Sequence, residues 1–179
     1  MEINNTTHPR NTVINNVDVK SHSKTIIDFS KYPNWTHSTR IGNFTNQLKN
    51  EKECAKNYYI LVSKLFPFLQ NQGGDLFTGI NHCHLLNDSD DKKYRTQAIN
   101  IIENIHNVKF DKSLELWQLS YGQGIRLVGA MVKGGDNNNQ TIIYPLFIDH
   151  HHLIYPDKNH NQKDLSKKAC KFCPQDKYH

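Results

Sequence analysis

Three stretches in the second half of the chain decide its fold: residues 114–119 (LELWQL), 125–132 (IRLVGAMV) and 141–149 (TIIYPLFID). Their apolar residues alternate or run continuously, as in strands with one or two buried faces. The segments that separate them, 120–124 and 133–140, are rich in Gly and Asn, which tolerate tight turns. The pattern therefore predicts a three-stranded antiparallel meander. The middle stretch is predicted to be central, and Pro145 predicts an edge or a bulge in the third strand.

Upstream of the meander, the apolar period changes to that of helices. Residues 43–66 and 92–106 each place large apolar side chains on one face, and Pro67 is expected to stop or kink the first helix. Residues 25–29 fit an edge strand, and residues 76–86 fit either a strand or a buried loop. The predicted fold class is α+β, with the two helices packed on one face of a small antiparallel sheet.

The composition predicts one domain with two polar ends. The chain has 179 residues, the size of a single domain. Residues 1–24 are predicted to be a flexible arm, because they cannot bury enough apolar area to offset the entropy of ordering them. Residues 25–156 form the predicted α+β domain, and residues 157–179 form a basic, Cys-containing tail.

Charge and motifs narrow the classes of function. The net charge is +5 and the sequence pI is near 9.0, which permits binding to a polyanion. No apolar run approaches the roughly 20 residues that cross a bilayer, and the first 20 residues lack a signal-peptide core. We therefore expect a cytoplasmic protein that does not bind membranes and whose four cysteines are reduced thiols or metal ligands rather than a disulfide framework. The chain has no P-loop, GxGxxG, GxSxG or HExxH motif.

The run Asp149-His150-His151-His152 ends the third predicted strand. In an extended chain, His150 and His152 would share one face, and Asp149 and His151 the other. Imidazoles titrate near neutrality, so this pair could act as general base and general acid, or could ligate a transition metal. The alternative is a solvated edge with one histidine in a hydrogen-bonded core position.

Arg126 lies within the most apolar strand. A charge there must be paired or must face a polar site. A guanidinium could stabilise charge that develops on a phosphate, or Arg126 could form a structural salt bridge with Glu115 across the hairpin. The candidate catalytic residues are therefore Arg126, Asp149, His150 and His152.

Cys170 and Cys173 have the spacing of a zinc knuckle, but a zinc site needs two further ligands. The candidates are His160 and His179, together with the tripeptide 82–84 (HCH). These residues predict a structural Zn²⁺ site in the tail. The alternative is a polar tail whose two thiols bind no metal.

The tail also carries lysines and aromatic residues that suit nucleic acid. The candidate phosphate contacts are Lys158, Lys163, Lys167, Lys168 and Lys171. The candidate stacking residues are Phe172 and Tyr178 in the tail, and Tyr121 and Tyr155 in the domain. The alternative is a solvated tail that only keeps the protein soluble.

The segments 116–119 (LWQL), 125–130 (IRLVGA) and 145–151 (PLFIDHH) resemble the second half of the RelE/ParE toxin superfamily. The resemblance implies two helices on an antiparallel sheet and an endoribonuclease activity that depends on the ribosome. It also implies that Arg126 clamps the transition state and that His150 or His152 acts as acid or base. The chain departs from this superfamily in its length, its Cys-containing tail and the long segment between its helices.

The leading hypothesis is an RNA-binding endoribonuclease of the toxin or defence type that needs no metal. Its partners would be RNA and a protein such as an antitoxin. The 2′-hydroxyl would attack as internal nucleophile, with two histidines as base and acid. The alternative is a non-enzymatic, zinc-stabilised binding module or inhibitor that acts on a protein or nucleic-acid partner.

Overall fold

A computed structural model describes residues 24–78, 83–122, 124–135, 140–156 and 168–178, which form a mixed α+β fold. The strands are β1 (Lys24–Ile27), β2 (Arg40–Ile41), β3 (Phe44–Thr45), β4 (His84–Leu85), β5 (Asp88–Ser89), β6 (Lys92–Lys93), β7 (Glu115–Leu119), β8 (Arg126–Gly134) and β9 (Gln140–Asp149). Five of them form the main sheet in the order β1-β9-β8-β7-β4. Two short hairpins, β2-β3 and β5-β6, accompany it.

The predicted meander of β7, β8 and β9 is confirmed, with β8 at its centre. Val128 stands opposite Phe147, whereas Gly129 stands opposite Pro145, so β9 carries one extra residue at this point. This bulge accommodates a proline inside the sheet, as the sequence predicted.

The sheet is mixed rather than purely antiparallel. The predicted strand near the N-terminus is present as β1, at one edge, but it pairs with β9 in parallel. Parallel pairing requires a long crossover connection, and nearly all of the described fold lies between β1 and β9 along the chain.

The helical segments are α1 (Glu51–Ile60), a π-helical turn (Leu61–Leu65), α2 (Phe66–Gln72), a 3₁₀ segment (Gly73–Thr78), α3 (Tyr94–His106) and α4 (Pro174–Tyr178). The prediction of α3 is confirmed. The first predicted helix begins later than expected, because the Asn50 side chain caps α1 at the Glu53 N–H, 3.0 Å away. Pro67 does not end the helical run, since the wider π turn before it relieves the clash of the proline ring with the preceding carbonyls.

The helices cover both faces of the sheet, so the prediction that they share one face is wrong. Leu65 and Leu69 of the first helical run pack in one buried cluster with Trp117. Ile102 of α3 packs in a second buried cluster with Leu116. Neighbouring residues of a strand point to opposite faces, which places the two clusters on opposite sides of β7. The physical reason lies in β8 and β9, which are apolar on both faces and need cover on both.

The C-terminal segment, residues 168–178, packs against the α+β domain instead of extending away as a separate tail. The Leu48 N–H donates to the Phe172 carbonyl at 2.9 Å, and the Phe172 N–H donates back at 2.8 Å. A guanidinium N–H of Arg40 donates to the Cys170 carbonyl at 2.9 Å. The predicted arm, except for Lys24, and residues 157–167 lie outside the described residues. Among the helices of the described residues, none is long and apolar enough to cross a membrane.

Candidate functional site

The strand register brings Arg126 and Asp149 to the same end of the sheet, directly opposite each other. The Arg126 side chain is only 7% exposed, and one of its terminal N–H groups donates to the Ile125 carbonyl at 3.1 Å. The predicted alternative, a salt bridge to Glu115, is wrong. Glu115 stands opposite Met131, and its carboxylate accepts a hydrogen bond from the Trp117 indole.

The Asp149 carboxylate is fully buried and serves the backbone that follows it. It accepts hydrogen bonds from the N–H groups of His151, Leu153 and Ile154, at 3.2, 2.6 and 2.8 Å. Burial raises the pKa of this carboxyl, and the three donors oppose that change. Asp149 therefore holds a turn, and its carboxylate is shielded from a large substrate.

The histidine run leaves the sheet, because β9 ends at Asp149 and residues 150 and 151 form a turn. His152 adopts a left-handed backbone conformation with φ of 57°. The extended geometry that would place His150 and His152 on one face is therefore absent from this part of the described chain. Among the candidate catalytic residues, only Arg126 and Asp149 are brought together by strand pairing.

His150 and His151 contact different parts of the chain. The Nδ1 atom of His150 lies 3.1 Å from the Asn57 amide nitrogen on α1, and its ring lies beside that of Tyr58. The Nε2 atom of His151 lies 2.7 Å from the Gln47 carbonyl oxygen. Burial lowers the pKa of His150 to about 3, so its imidazole is neutral at physiological pH and Nδ1 accepts the amide proton.

The two tail cysteines lie in different surroundings. Cys173 is 4% exposed, and its sulfur lies within 4.8 Å of ligand atoms of both His37 and Asp176. The Nε2 atom of His37 and Oδ1 of Asp176 are 4.0 Å apart. Cys170 is also buried but is not part of this group. The predicted ligands His160 and His179 lie outside the described residues, as does His82 of the tripeptide.

The other two members of the tripeptide 82–84 lie at β4. The Cys83 thiol faces the Ser120 carbonyl at 3.8 Å, and the His84 ring stacks on Tyr155 at 5.0 Å. These contacts occupy both side chains within the domain. Stacking on His84 also turns Tyr155 away from the predicted role of binding a base.

The sequence analysis missed His37 and Asp176. The spacing of Cys173 and Asp176 by three residues could have been found, because it places both on one side of a helical turn. His37 carries no comparable local pattern, since only tertiary packing brings residues 33–37 to the C-terminal segment.

Basic side chains gather where the C-terminal segment meets α1. Leu48 and Phe172 form an antiparallel bridge, so the next residues, Lys49 and Lys171, lie side by side. Both side chains are exposed, as is Arg40 beside the Cys170 carbonyl. We call Arg40, Lys49, Lys168 and Lys171 the C-terminal basic surface. The other predicted phosphate contacts, Lys158, Lys163 and Lys167, lie outside the described residues.

An exposed aromatic side chain lies close to this surface. Tyr178 on α4 is 70% exposed, and a hydrogen bond with the Glu51 carboxylate raises its pKa. Phe172 is partly buried. Tyr121 is exposed but packs on Phe68, at the helix α2.

Comparison with known proteins gives a family. A family model described as "Uncharacterised protein UU032" matches residues 30–179. The chain belongs to the UU032 family. A curated relative from Ureaplasma parvum serovar 3, "Uncharacterized protein UU032", is 34% identical over 181 residues, covering 99% of this chain and 95% of the relative. No solved structure matches the chain. Membership of the UU032 family does not indicate which activity the chain has. The resemblance to RelE/ParE toxins therefore stays a prediction.

Proposed function

We propose that this protein is a non-catalytic module that binds single-stranded RNA through its C-terminal basic surface. The observation that carries the proposal is the placement of Lys49 and Lys171 side by side, with the Arg40 guanidinium next to them. Phosphates bind exposed cations of this kind without regard to sequence. Tyr178, exposed on the neighbouring helix, offers a ring on which a base can stack.

Charges of both signs lie near this surface. Burial and the Glu53 carboxylate raise the pKa of the Cys170 thiol, and the positive charges of Lys49 and Arg40 oppose that change. The Glu53 carboxylate accepts a hydrogen bond from the Lys49 backbone N–H at 2.6 Å. The exposed side chains of Lys49 and Lys171 are the groups that would contact a phosphate.

Fluorescence anisotropy with a labelled single-stranded RNA tests this proposal. The double variant Lys49→Ala/Lys171→Ala should weaken binding and reduce the slope of log affinity against log salt by about 1.4, at about 0.7 for each phosphate contact. The matched control is Lys92→Ala/Lys93→Ala on the β5-β6 hairpin, which removes the same charge from exposed sites elsewhere. Equal losses in the two variants, or no binding by the wild-type protein at low salt, would refute a specific basic surface.

Ribonuclease activity is the second candidate, and one observation favours it. The strand pairing places Arg126 opposite Asp149 at the start of the histidine run. A fluorogenic RNA substrate should then be cleaved by the wild-type protein, and His150→Ala/His152→Ala should abolish cleavage. The burial of Arg126 and Asp149 favours binding without cleavage over this candidate, because RNA phosphates need exposed donors.

A further inference from the structure

The strongest side-chain cluster outside the basic surface joins two residues of the C-terminal segment to one residue of the loop after β1. Cys173 precedes α4, Asp176 lies in the first turn of α4, and His37 follows the turn at residues 33–36. Their ligand atoms all lie within 4.8 Å of one another. A thiol that gives up its proton to a metal, an imidazole and a carboxylate this close together can share one cation.

We propose that His37, Cys173 and Asp176, with a water as the fourth ligand, form a binding site for Zn²⁺ that fastens α4 to the loop after β1. None of these three residues belongs to the C-terminal basic surface, so metal binding is measured separately from RNA binding.

The donor set selects the class of metal. One sulfur, one imidazole nitrogen and one carboxylate oxygen are all common ligands of Zn²⁺, at distances of about 2.0–2.3 Å. Mg²⁺ and Ca²⁺ favour sites made only of oxygens, and Cu(I) favours sulfur. The three ligand atoms need to close by only about an ångström to reach the spacing that a tetrahedral ion imposes. His37 and Asp176 are at the surface, with side chains 38% and 66% exposed, so a metal can enter without opening the core.

The position of the cluster indicates that a bound metal would stabilise the packing of α4. Helix α4 has five residues, too few to be stable alone. Beyond the cluster, it meets residues 33–37 through a long contact of 3.5 Å between the Gln175 amide and the Asn34 side chain. A metal bridging His37 to Cys173 and Asp176 would add a cross-link between segments far apart in the chain, and its binding energy would stabilise the fold.

The ligand set differs from the zinc knuckle that the sequence predicted. Cys170 is buried three residues before Cys173, but its carbonyl binds Arg40 and it does not join the cluster. The pair Cys170→Ser and Cys173→Ser therefore separates the two sites. Both substitutions exchange a buried sulfur for oxygen in the same segment, so they have similar structural costs.

Metal binding is measured with the full chain, by competition of Zn²⁺ with a chromogenic chelator and by the absorption spectrum of the Co²⁺ form. The wild-type protein should bind one Zn²⁺ per chain and show the thiolate-to-cobalt band of a four-coordinate site. Cys173→Ser should abolish that band, and His37→Gln and Asp176→Asn should each weaken Zn²⁺ binding at least tenfold. Cys170→Ser should leave stoichiometry, affinity and band unchanged.

Two results would overturn the site. One is a wild-type protein that binds no Zn²⁺ above the level of His37→Gln/Asp176→Asn. The other is an equal loss of the cobalt band in Cys170→Ser and Cys173→Ser, which would restore the knuckle. Because His37 and Asp176 are exposed, their variants should fold, and circular dichroism verifies this before the metal is added.

Discussion

The Asp149 carboxylate and the Leu153 N–H are joined by a hydrogen bond of 2.6 Å, which turns the chain at the end of β9. The same oxygen accepts the Ile154 N–H at 2.8 Å, and the other oxygen accepts the His151 N–H at 3.2 Å. One buried side chain thus satisfies three backbone donors. It bends the histidine run away from the sheet, and this explains why strand alternation fails there.

Replacing Asp149 with asparagine should destabilise the protein by about 2–3 kcal/mol. The amide retains one oxygen, but its NH₂ group faces a backbone donor and leaves it unsatisfied in the interior. Equilibrium unfolding in urea measures the change. The matched control is Asp111→Asn, because Asp111 makes similar hydrogen bonds to Ser113 at an exposed site, and the effect of its replacement should be much smaller. Equal losses at the two sites would show that Asp149 is not a structural anchor.

The meander could be predicted from the sequence because patterns within short segments define its strands and turns. Alternation or continuous apolarity, interrupted by Gly and Asn, defines β7, β8 and β9, and Pro145 marks the bulge. The faces that α1 and α3 cover could not be predicted in the same way. Both helices carry an apolar stripe, and which side of the sheet each stripe meets depends on the connections between them.

The candidate site likewise has contacts that local patterns predict and contacts that depend on tertiary packing. Arg126 and Asp149 could be assigned to neighbouring strands, and the strand register brings them together. The contact of His37 with Cys173 and Asp176 could not be anticipated, because it depends on the C-terminal segment docking beside Leu48. The bridge between Leu48 and Phe172 is made by backbone atoms and leaves no pattern in the side chains.

Two glycines of β8 should respond differently to alanine. A Cβ at Gly129 would lie 3.2 Å from the Tyr144 carbonyl oxygen and 3.2 Å from the Ile143 side chain, and the backbone atom cannot move away. A Cβ at Gly134 would meet only the end of the Ile142 side chain at 2.9 Å, which can rotate. Gly129→Ala should therefore lower the free energy of unfolding by about 1–3 kcal/mol.

Gly134→Ala is the matched control and should change that free energy by no more than about 0.5 kcal/mol, since alanine is also favoured over glycine in a strand. Thermal unfolding of the two variants under identical conditions gives the comparison. A Gly134→Ala variant as unstable as Gly129→Ala would contradict the close approach of β8 and β9 at the bulge.

The neutral, partly buried imidazole of His150 should make stability fall in mild acid. Its pKa is lowered to about 3 in the folded protein from a reference value of 6.5, so the unfolded chain binds the proton more readily. The contribution of His150 is complete above pH 6.5 and is lost as the pH falls from 6.5 towards 3. Within this window, one such group changes the free energy of unfolding by up to about 1.4 kcal/mol per pH unit.

The variant His150→Asn isolates this contribution, because its side-chain oxygen can still accept the hydrogen bond from Asn57 but does not titrate. Urea unfolding of both proteins between pH 4.5 and 7.5 should show parallel curves above pH 6.5. Below that pH, the wild-type protein should lose stability more steeply than the variant. Curves that stay parallel down to pH 4.5 would mean that His150 is protonated in the folded protein and that burial does not hold it neutral.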